Sequence, residues 1–254
     1  MCEDILVVET KALNAWPALQ QMAHDDWLLR LSKGYTKRSN SVQPLRTGPD
    51  ADLRAMVGYC EDAYHRAGQP TIFKITPLCG PCGLDGRLEE YGYAKADRSQ
   101  VLTRSLDETQ GEASIEGLRE GLSVDACLTE AWMTAASAIL SLKPEQREIA
   151  SAMLADSPLR RAFFLLRSGD EPVAIGIGVV DGGYLGLFDI ATALAYRNRG
   201  IGERLVRQIL RWGQSHGAHA SYLQVAEDNA PAQRLYAKLG YKRLYDYWYR
   251  VRWP

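Results

Sequence analysis

The sequence predicts an α/β (α+β) chain in two halves. Three observations point there. Apolar runs of strand length alternate with longer runs of helical spacing along all 254 residues. A polar, glycine-containing stretch, DETQGEASIEGLRE at 107–120, interrupts that alternation and reads as a linker between 1–106 and 121–254. The halves also echo each other. Trp27-Leu28-Leu29-Arg30 parallels Phe163-Phe164-Leu165-Leu166-Arg167, and Glu90-Tyr91-Gly92-Tyr93-Ala94-Lys95 parallels Lys238-Leu239-Gly240-Tyr241-Lys242-Arg243.

In the first half, Leu13 to Ala23 reads as a helix and Trp27 to Leu31 as a strand. A turn from Gly34 enters a second strand at Val42. Asp50 to Ala67 has helical spacing, with Leu53, Val57, Cys60 and Tyr64 on one face. Ile72 to Ile75 is a short strand, Leu84 to Glu90 a short helix stopped by Gly92, and Val101 to Leu106 a strand. In the second half, Leu128 to Leu142 reads as a helix, and Pro144 opens another with Glu145 and Glu148 near the positive end of its dipole. Three strands follow, Ala162 to Arg167, Pro172 to Val180 and Tyr184 to Thr192, joined by short glycine-containing turns. Ile201, Leu205 and Ile209 mark a helix, Ser221 to Ala226 a strand, and Asn229 caps a helix that runs to Leu239 and stops at Gly240. Tyr241 to Trp253 closes the chain as a strand.

Composition narrows the function classes. With 46% hydrophobic and 24% charged residues the chain is an ordinary globular sequence. A formal net charge of -1 argues against a dedicated nucleic-acid binder. No apolar run reaches membrane-spanning length, and the N-terminus MCEDILVVET lacks the basic-then-apolar pattern of a signal peptide, so a cytoplasmic location is expected. Five cysteines at scattered positions do not make a disulfide framework. Cys79-Gly80-Pro81-Cys82 has redox spacing, but Gly83, Asp85 and Gly86 follow where a thiol-activating helix would begin. The four histidines offer no second ligand pair for a metal. A loop with two free thiols and no metal site is expected.

The stretch with the most chemistry is Arg197-Asn198-Arg199-Gly200-Ile201-Gly202, between a strand and a helix. A helix start exposes unpaired N–H groups and the positive end of a dipole. The two glycines admit close approach, and the two arginines add positive charge. No Lys-Ser or Lys-Thr follows, as a P-loop requires, and only G-x-G occurs where a dinucleotide fingerprint needs G-x-G-x-x-G.

As it stands, R-x-x-G-x-G resembles the pyrophosphate loop of the GNAT superfamily of acetyl-CoA-dependent N-acetyltransferases. A second segment, Asn229-Ala230-Pro231-Ala232-Gln233-Arg234-Leu235-Tyr236-Ala237-Lys238-Leu239-Gly240-Tyr241, resembles that family's N-x-x-A-x-x-L-Y-x-x-x-G-[YF] pattern. Gly34-Tyr35-Thr36 and Asn40-Ser41-Val42-x-Pro44-Leu45 resemble a tandem-type subgroup. The resemblance implies two GNAT-like halves, each a mixed, mostly antiparallel sheet flanked by helices, with the first half degenerate because it lacks the loop. It implies acetyl-CoA as co-substrate. Arg197 to Gly202 would hold its pyrophosphate, the backbone of Ile190, Ala191 and Thr192 its pantetheine arm, and Asn229 would bond the cofactor. Tyr236 would be the general acid; a phenol, with a reference pKa of about 10, remains a proton donor at neutral pH.

The base is left open. Some relatives carry glutamate five residues before the asparagine, and here Gln224 stands there. Asp189, Glu227, Asp228 or a water relay are the alternatives. The acceptor is expected to be a small-molecule or peptide amine, with Tyr35, Arg38 and Asn40 as candidates for one wall of its cleft. A monomer is preferred, because a duplicated fold can satisfy internally an interface that single domains often make as dimers; a dimer remains open. The competing reading is a non-catalytic acyl-CoA-binding regulatory or interaction module.

Overall fold

The structure, a computed structural model, describes residues 2–45, 52–106 and 121–253. The expected linker at 107–120 and the expected helix start at Asp50 lie outside the described residues. In chain order the first elements are α1 (Cys2–Ala15), β1 (Gln20–His24), β2 (Trp27–Leu31), β3 (Val42–Pro44), α2 (Leu53–Arg66), β4 (Thr71–Ile75), α3 (Leu84–Glu90) and β5 (Ala94–Ser105). They are followed by β6 (Leu122–Asp125), α4 (Glu130–Leu140), α5 (Pro144–Leu154), β7 (Arg160–Ser168), β8 (Glu171–Asp181), β9 (Tyr184–Thr192), α6 (Ile201–Ser215), β10 (Ala220–Ala226), α7 (Ala230–Lys238) and β11 (Lys242–Arg252). The α/β class is as expected, with mostly antiparallel strand pairs.

The chain forms two compact units. Unit 1 comprises Met1–Val101, Val225–Asn229 and Arg243–Pro254; unit 2 comprises Leu102–Gln224 and Ala230–Lys242. These boundaries differ from 1–106 and 121–254, because the final strand belongs to unit 1. There β11 pairs antiparallel with β4, Trp248 opposite Ile75 and Arg252 opposite Thr71.

Unit 1 orders its strands β1-β2-β3-β4-β11-β5. Its apolar core gathers Trp27, Leu29, Val57, Tyr64, Phe73, Leu84 and Leu88. The sequence suggested a helix over Leu13 to Ala23; α1 instead ends at Ala15 and Gln20–His24 is a strand. Pro17 is the reason for the stop, since the residue before a proline is pushed out of the helical region. The strand that follows turns back through Asp25-Asp26, with Asp25 at φ 48, so that His24 faces Trp27. Arg30 closes the end of α1: its buried guanidinium donates to the carbonyls of Leu13 and Trp16 and to Arg38 O. Burial lowers its pKa to about 10.

Unit 2 runs β10-β9-β8-β7-β6 beyond the Leu102–Ser105 end of β5. Consecutive strands β6 to β9 pair antiparallel, while β9 and β10 pair parallel, as a crossover through α6 requires. The apolar face of α6 (Leu205, Val206, Ile209, Leu210) is buried. Glycines let that helix sit close. A Cβ at Gly178 would stand 2.9 Å from Ile209 Cγ2, and one at Gly213 2.5 Å from Leu185 Cδ2.

Each unit, taken by itself, has three antiparallel strands, a helix and a parallel fourth strand: β1-β2-β3-α2-β4 and β7-β8-β9-α6-β10. A short helix ending at a left-handed glycine follows each time. Gly92 has φ 84 and Gly240 φ 81, with Tyr93 N donating to Leu88 O at 2.9 Å and Tyr241 N to Tyr236 O at 3.0 Å. The Gly92 and Gly240 segments are therefore equivalent. The other echo is one strand out of step: counted from the parallel pair, β2 corresponds to β8 and not to the Phe163–Arg167 strand.

Among the described residues no helix is long and apolar enough to cross a membrane, and no cluster of three or more His, Cys, Asp or Glu is placed to hold a metal ion.

Candidate active site

The parallel ladder of β9 and β10 runs from Tyr184↔Ala220 to Leu187↔Leu223 and ends there. Yet β9 continues to Thr192 and β10 to Ala226. The two strands therefore stop pairing partway along. Just past this point β9 bulges. Opposite Gly176 it carries two residues, Asp189 and Ile190, because Ile175 faces Ala191 and Ile177 faces Phe188. Asp189 takes a left-handed φ of 47, which aspartate tolerates better than most residues. Gly176 accepts the consequence: a Cβ there would lie 2.7 Å from Ile190 Cδ1. Ile190, Ala191 and Thr192 are half-buried. A bulged strand edge beside a strand that has ceased to pair with it can receive an extended ligand as an added strand would.

β9 leads into the loop. Ala193 N donates to Val173 O at 2.9 Å, and a single 3-10 turn, Leu194–Tyr196, follows. Arg197 and Arg199 are exposed and held apart. Arg197 Nε donates to Thr192 O at 3.3 Å, while the Arg199 guanidinium lies 5.3 Å from the centre of the Tyr196 ring. Tyr196 is in turn fixed by its hydroxyl to Glu171 at 2.7 Å. Asn198 (φ 60) and Gly200 (φ 74) are both left-handed, the conformation that turns the chain into α6. Gly200 is the N-cap and supplies no side-chain hydrogen bond. The first-turn N–H groups of a fifteen-residue helix, Ile201 to Glu203, thus meet no capping side chain, and Arg197 and Arg199 stand in the loop just before them. This is the electrostatics of an oxyanion site.

α7 lies along the start of α6. Lys238 Nζ bonds Glu203 Oε2 at 2.6 Å, and a Cβ at Gly202 would stand 3.6 Å from Leu235 Cδ2 and 3.4 Å from Thr192 Oγ1. Glu203 would oppose an anion at this helix end, but Lys238 and Arg207 both pair with it and hold its carboxyl below the usual range. Between Leu235 and Lys238 stands Tyr236. It is 6% exposed, its ring meets Tyr241 edge-on at 5.7 Å, and burial pushes its hydroxyl up to about 12. Such a phenol keeps its proton across the physiological range and can give it to a stronger base.

The comparisons with known proteins bear on this geometry. A family model described as "Probable histone acetyltransferase Rv0428c C-terminal" matches residues 2–250. The chain belongs to that family, and it is a GNAT-type acetyltransferase. An uncharacterized N-acetyltransferase of Bacillus subtilis, YobR, is 29% identical over 98% of this chain and 99% of its own length. A GCN5-related N-acetyltransferase from Kribbella flavida superposes with a TM-score of 0.70 at 15% identity, covering 98% of this chain and 94% of that one. A tandem GNAT protein from the clavulanic acid pathway superposes with a TM-score of 0.61 at 12% identity, over 84% of this chain and 74% of its own. At those identities the two solved structures show the shared fold.

Within this GNAT acetyltransferase, unit 2 brings together Ile190, Ala191, Thr192, Arg197 to Gly202 and Tyr236, whereas Asn229 is counted with unit 1. Of the carboxylates considered as bases, Glu227 is paired with Arg98 at 3.3 Å, Asp228 is exposed, and Asp189 forms the bulge. Asn40, a candidate for the acceptor wall, is 3% exposed and spent on its own turn: Oδ1 accepts from Ser32 N and Gly34 N, and Nδ2 donates to Thr36 O. Arg38 lies over the Trp16 ring at 4.4 Å. Cys79 and Cys82 are free thiols, and burial pushes Cys79 up to about 11, the opposite of a redox-active thiol. The bulge and the Glu203–Lys238 pair were missed in the sequence. A Phe-Asp-Ile run carries no bulge signal, but Glu203, four residues before Arg207, was a readable i,i+4 pair.

Proposed function

We propose that the chain transfers the acetyl group of acetyl-CoA to a primary amine by direct attack. The observation that carries this is the start of α6: a long helix entered through a left-handed glycine that gives no capping side chain, flanked by Arg197 and Arg199. A pyrophosphate would offer acceptor oxygens to those N–H groups and to the guanidiniums. The open edge of β9 at Ile190 to Thr192 suits the two amides of a pantetheine arm, and Asn229, at the entry to α7, is assigned a hydrogen bond to the same molecule. Acetyl-CoA brings an activated thioester. The acceptor nitrogen attacks its carbonyl carbon in the neutral form, the carbon–sulfur bond breaks as the tetrahedral intermediate collapses, and Tyr236 donates its proton to the departing sulfur. The proton lost by nitrogen leaves through water, since Gln224 cannot take it. Tyr236 is then reprotonated from solvent, which its raised pKa favours.

Calorimetric titration with acetyl-CoA, followed by thiol release across a panel of small amines and peptides, tests this directly. Saturable binding and amine-dependent thiol release are expected. Binding without release on any amine would overturn the catalytic assignment, and absence of binding would overturn the cofactor itself.

A further inference from the structure

The turn Glu227-Asp228-Asn229 joins β10 to α7 in sequence and carries Asn229. Within the turn, Asn229 N donates to Ala226 O at 3.1 Å. A second restraint comes from a residue far away in sequence, Arg98 on β5. The carbonyl of Arg98 accepts from Glu227 N at 2.9 Å. Its guanidinium reaches the Glu227 carboxylate at 3.3 Å and, through the other nitrogen, Asp246 Oδ2 at 2.8 Å. Asp246 is a firm anchor. Its side chain is 8% exposed, and Arg243 holds the same oxygen at 2.6 Å. Asp246, Arg98 and Glu227 are thus linked in series, by a charge-assisted hydrogen bond and then an ion pair that ends on the first residue of the turn.

We infer that Arg98 is a positioning residue for the acetyl-CoA site, fixing the Glu227–Asn229 turn through backbone and side chain together. This rests on the assignment of Asn229 to the cofactor. It gives the first half of the sequence a task in the reaction: a strand that lacks the phosphate loop holds the turn of the half that has it. The pair is half-exposed, at 46% for each side chain, and exposed pairs add little to global stability. Its use lies in geometry, where a small misplacement of a binding group costs far more.

The test has an arm that needs no ligand. Hydrogen exchange of the ligand-free protein is read over residues 226–231 in wild type, Arg98→Met and Arg98→Lys, with the thermal midpoint as control. Acetyl-CoA affinity, KM and kcat are measured on the same proteins. Arg98→Met is expected to exchange faster in that turn alone, to melt near wild type, and to raise the acetyl-CoA Kd and KM about tenfold; Arg98→Lys recovers part of both. Unchanged exchange, or faster exchange with unchanged affinity, overturns the inference. If Arg98→Met unfolds, Glu227→Ala removes the same side-chain contact at the turn itself, and the same outcomes decide. A wild-type protein that fails to bind acetyl-CoA overturns the proposed function, and the exchange arm alone then decides whether Arg98 pins the turn.

Discussion

Two helices of this chain occupy the same place in the strand order and begin in different ways. α2 starts at Asp52, whose Oδ1 accepts from Ala55 N at 3.1 Å, so a carboxylate already satisfies the first turn. α6 starts at Gly200, with no capping side chain and with arginines flanking the turn. The difference extends through each unit. Beyond the Val42↔Phe73 pair of β3 and β4, Gly80 N donates to Pro44 O at 3.2 Å, so the chain itself takes the strand edge. In unit 2 the ladder of β9 with β10 ends at Leu187↔Leu223, and β9 runs on. Where the Gly240 stop follows Tyr236, the Gly92 stop follows Leu88, which has no proton to give. At α2 the chain supplies its own carboxylate to the first turn. At α6 it supplies no capping side chain, so the pyrophosphate proposed for that helix start would be repelled by the carboxylate at the start of α2.

Tyr236→Phe should have the largest effect. Loss of a general acid lowers kcat by about 10²–10⁴-fold, with acetyl-CoA binding nearly unchanged. The pH profile sharpens the point. In the proposed mechanism Tyr236 acts when protonated, and its pKa is pushed up to about 12, so its contribution would be intact below that value and lost only as pH rises through it. Between pH 7 and about 10 the wild-type rate should therefore only rise, as the amine acceptor deprotonates. A descending limb inside that window that disappears in Tyr236→Phe would contradict a buried, high-pKa acid.

In unit 1 the matching experiment is structural. Glu9 and Lys74 are both buried, with Nζ on both carboxylate oxygens at 2.8 and 2.7 Å, and Tyr245 donating to the same carboxylate. Lys74→Met leaves a buried charge unpaired and should cost about 3–5 kcal/mol in a urea melt, while replacing Glu9 and Lys74 together with methionine should recover much of it. Breaking Glu203–Lys238 at the surface of unit 2 should cost about 1 kcal/mol or less. Equal costs for the two pairs would erase the contrast between the buried pair of one unit and the surface pair of the other.

Giving α6 what α2 has is the next step down. Gly200→Asp places a carboxylate beside the proposed pyrophosphate in a left-handed position that aspartate tolerates. Acetyl-CoA affinity should fall about 100-fold, roughly 2.7 kcal/mol, with the thermal midpoint little changed. Affinity within twofold of wild type would remove the pyrophosphate from this helix.

What could be read in the sequence, and what could not, follows from range. β9 and the start of α6 were legible because alternation, two glycines and an i,i+4 repeat are local signals. Residue-for-residue equivalence at Gly92 and Gly240 was legible because a helix-stopping glycine has a fixed hydrogen-bond pattern. β1 was lost to an Asp25-Asp26 turn whose positive φ carries no glycine to announce it. The pairing of β11 with β4 joins residues more than 170 positions apart, and the Arg98 contacts with Glu227 and Asp246 are similarly remote. Neither leaves a periodic trace.

The smallest expected effect separates fold from ligand most cleanly, because its two consequences have opposite signs. Gly202 is inside α6, and a Cβ there would meet Thr192 Oγ1 at 3.4 Å and Leu235 Cδ2 at 3.6 Å, ordinary contacts. Nothing in the ligand-free protein requires glycine at that position. Gly202→Ala should therefore stabilise the helix by about 0.5–1 kcal/mol through reduced backbone entropy. A phosphate oxygen approaching the helix start would meet the new methyl group, so acetyl-CoA affinity should fall about tenfold. A denaturant melt and a calorimetric titration on the same preparation read both. Higher stability with weaker binding is what a glycine kept for its ligand gives; higher stability with unchanged binding would confine the anion to Gly200 and the arginines and release Gly202 from the site.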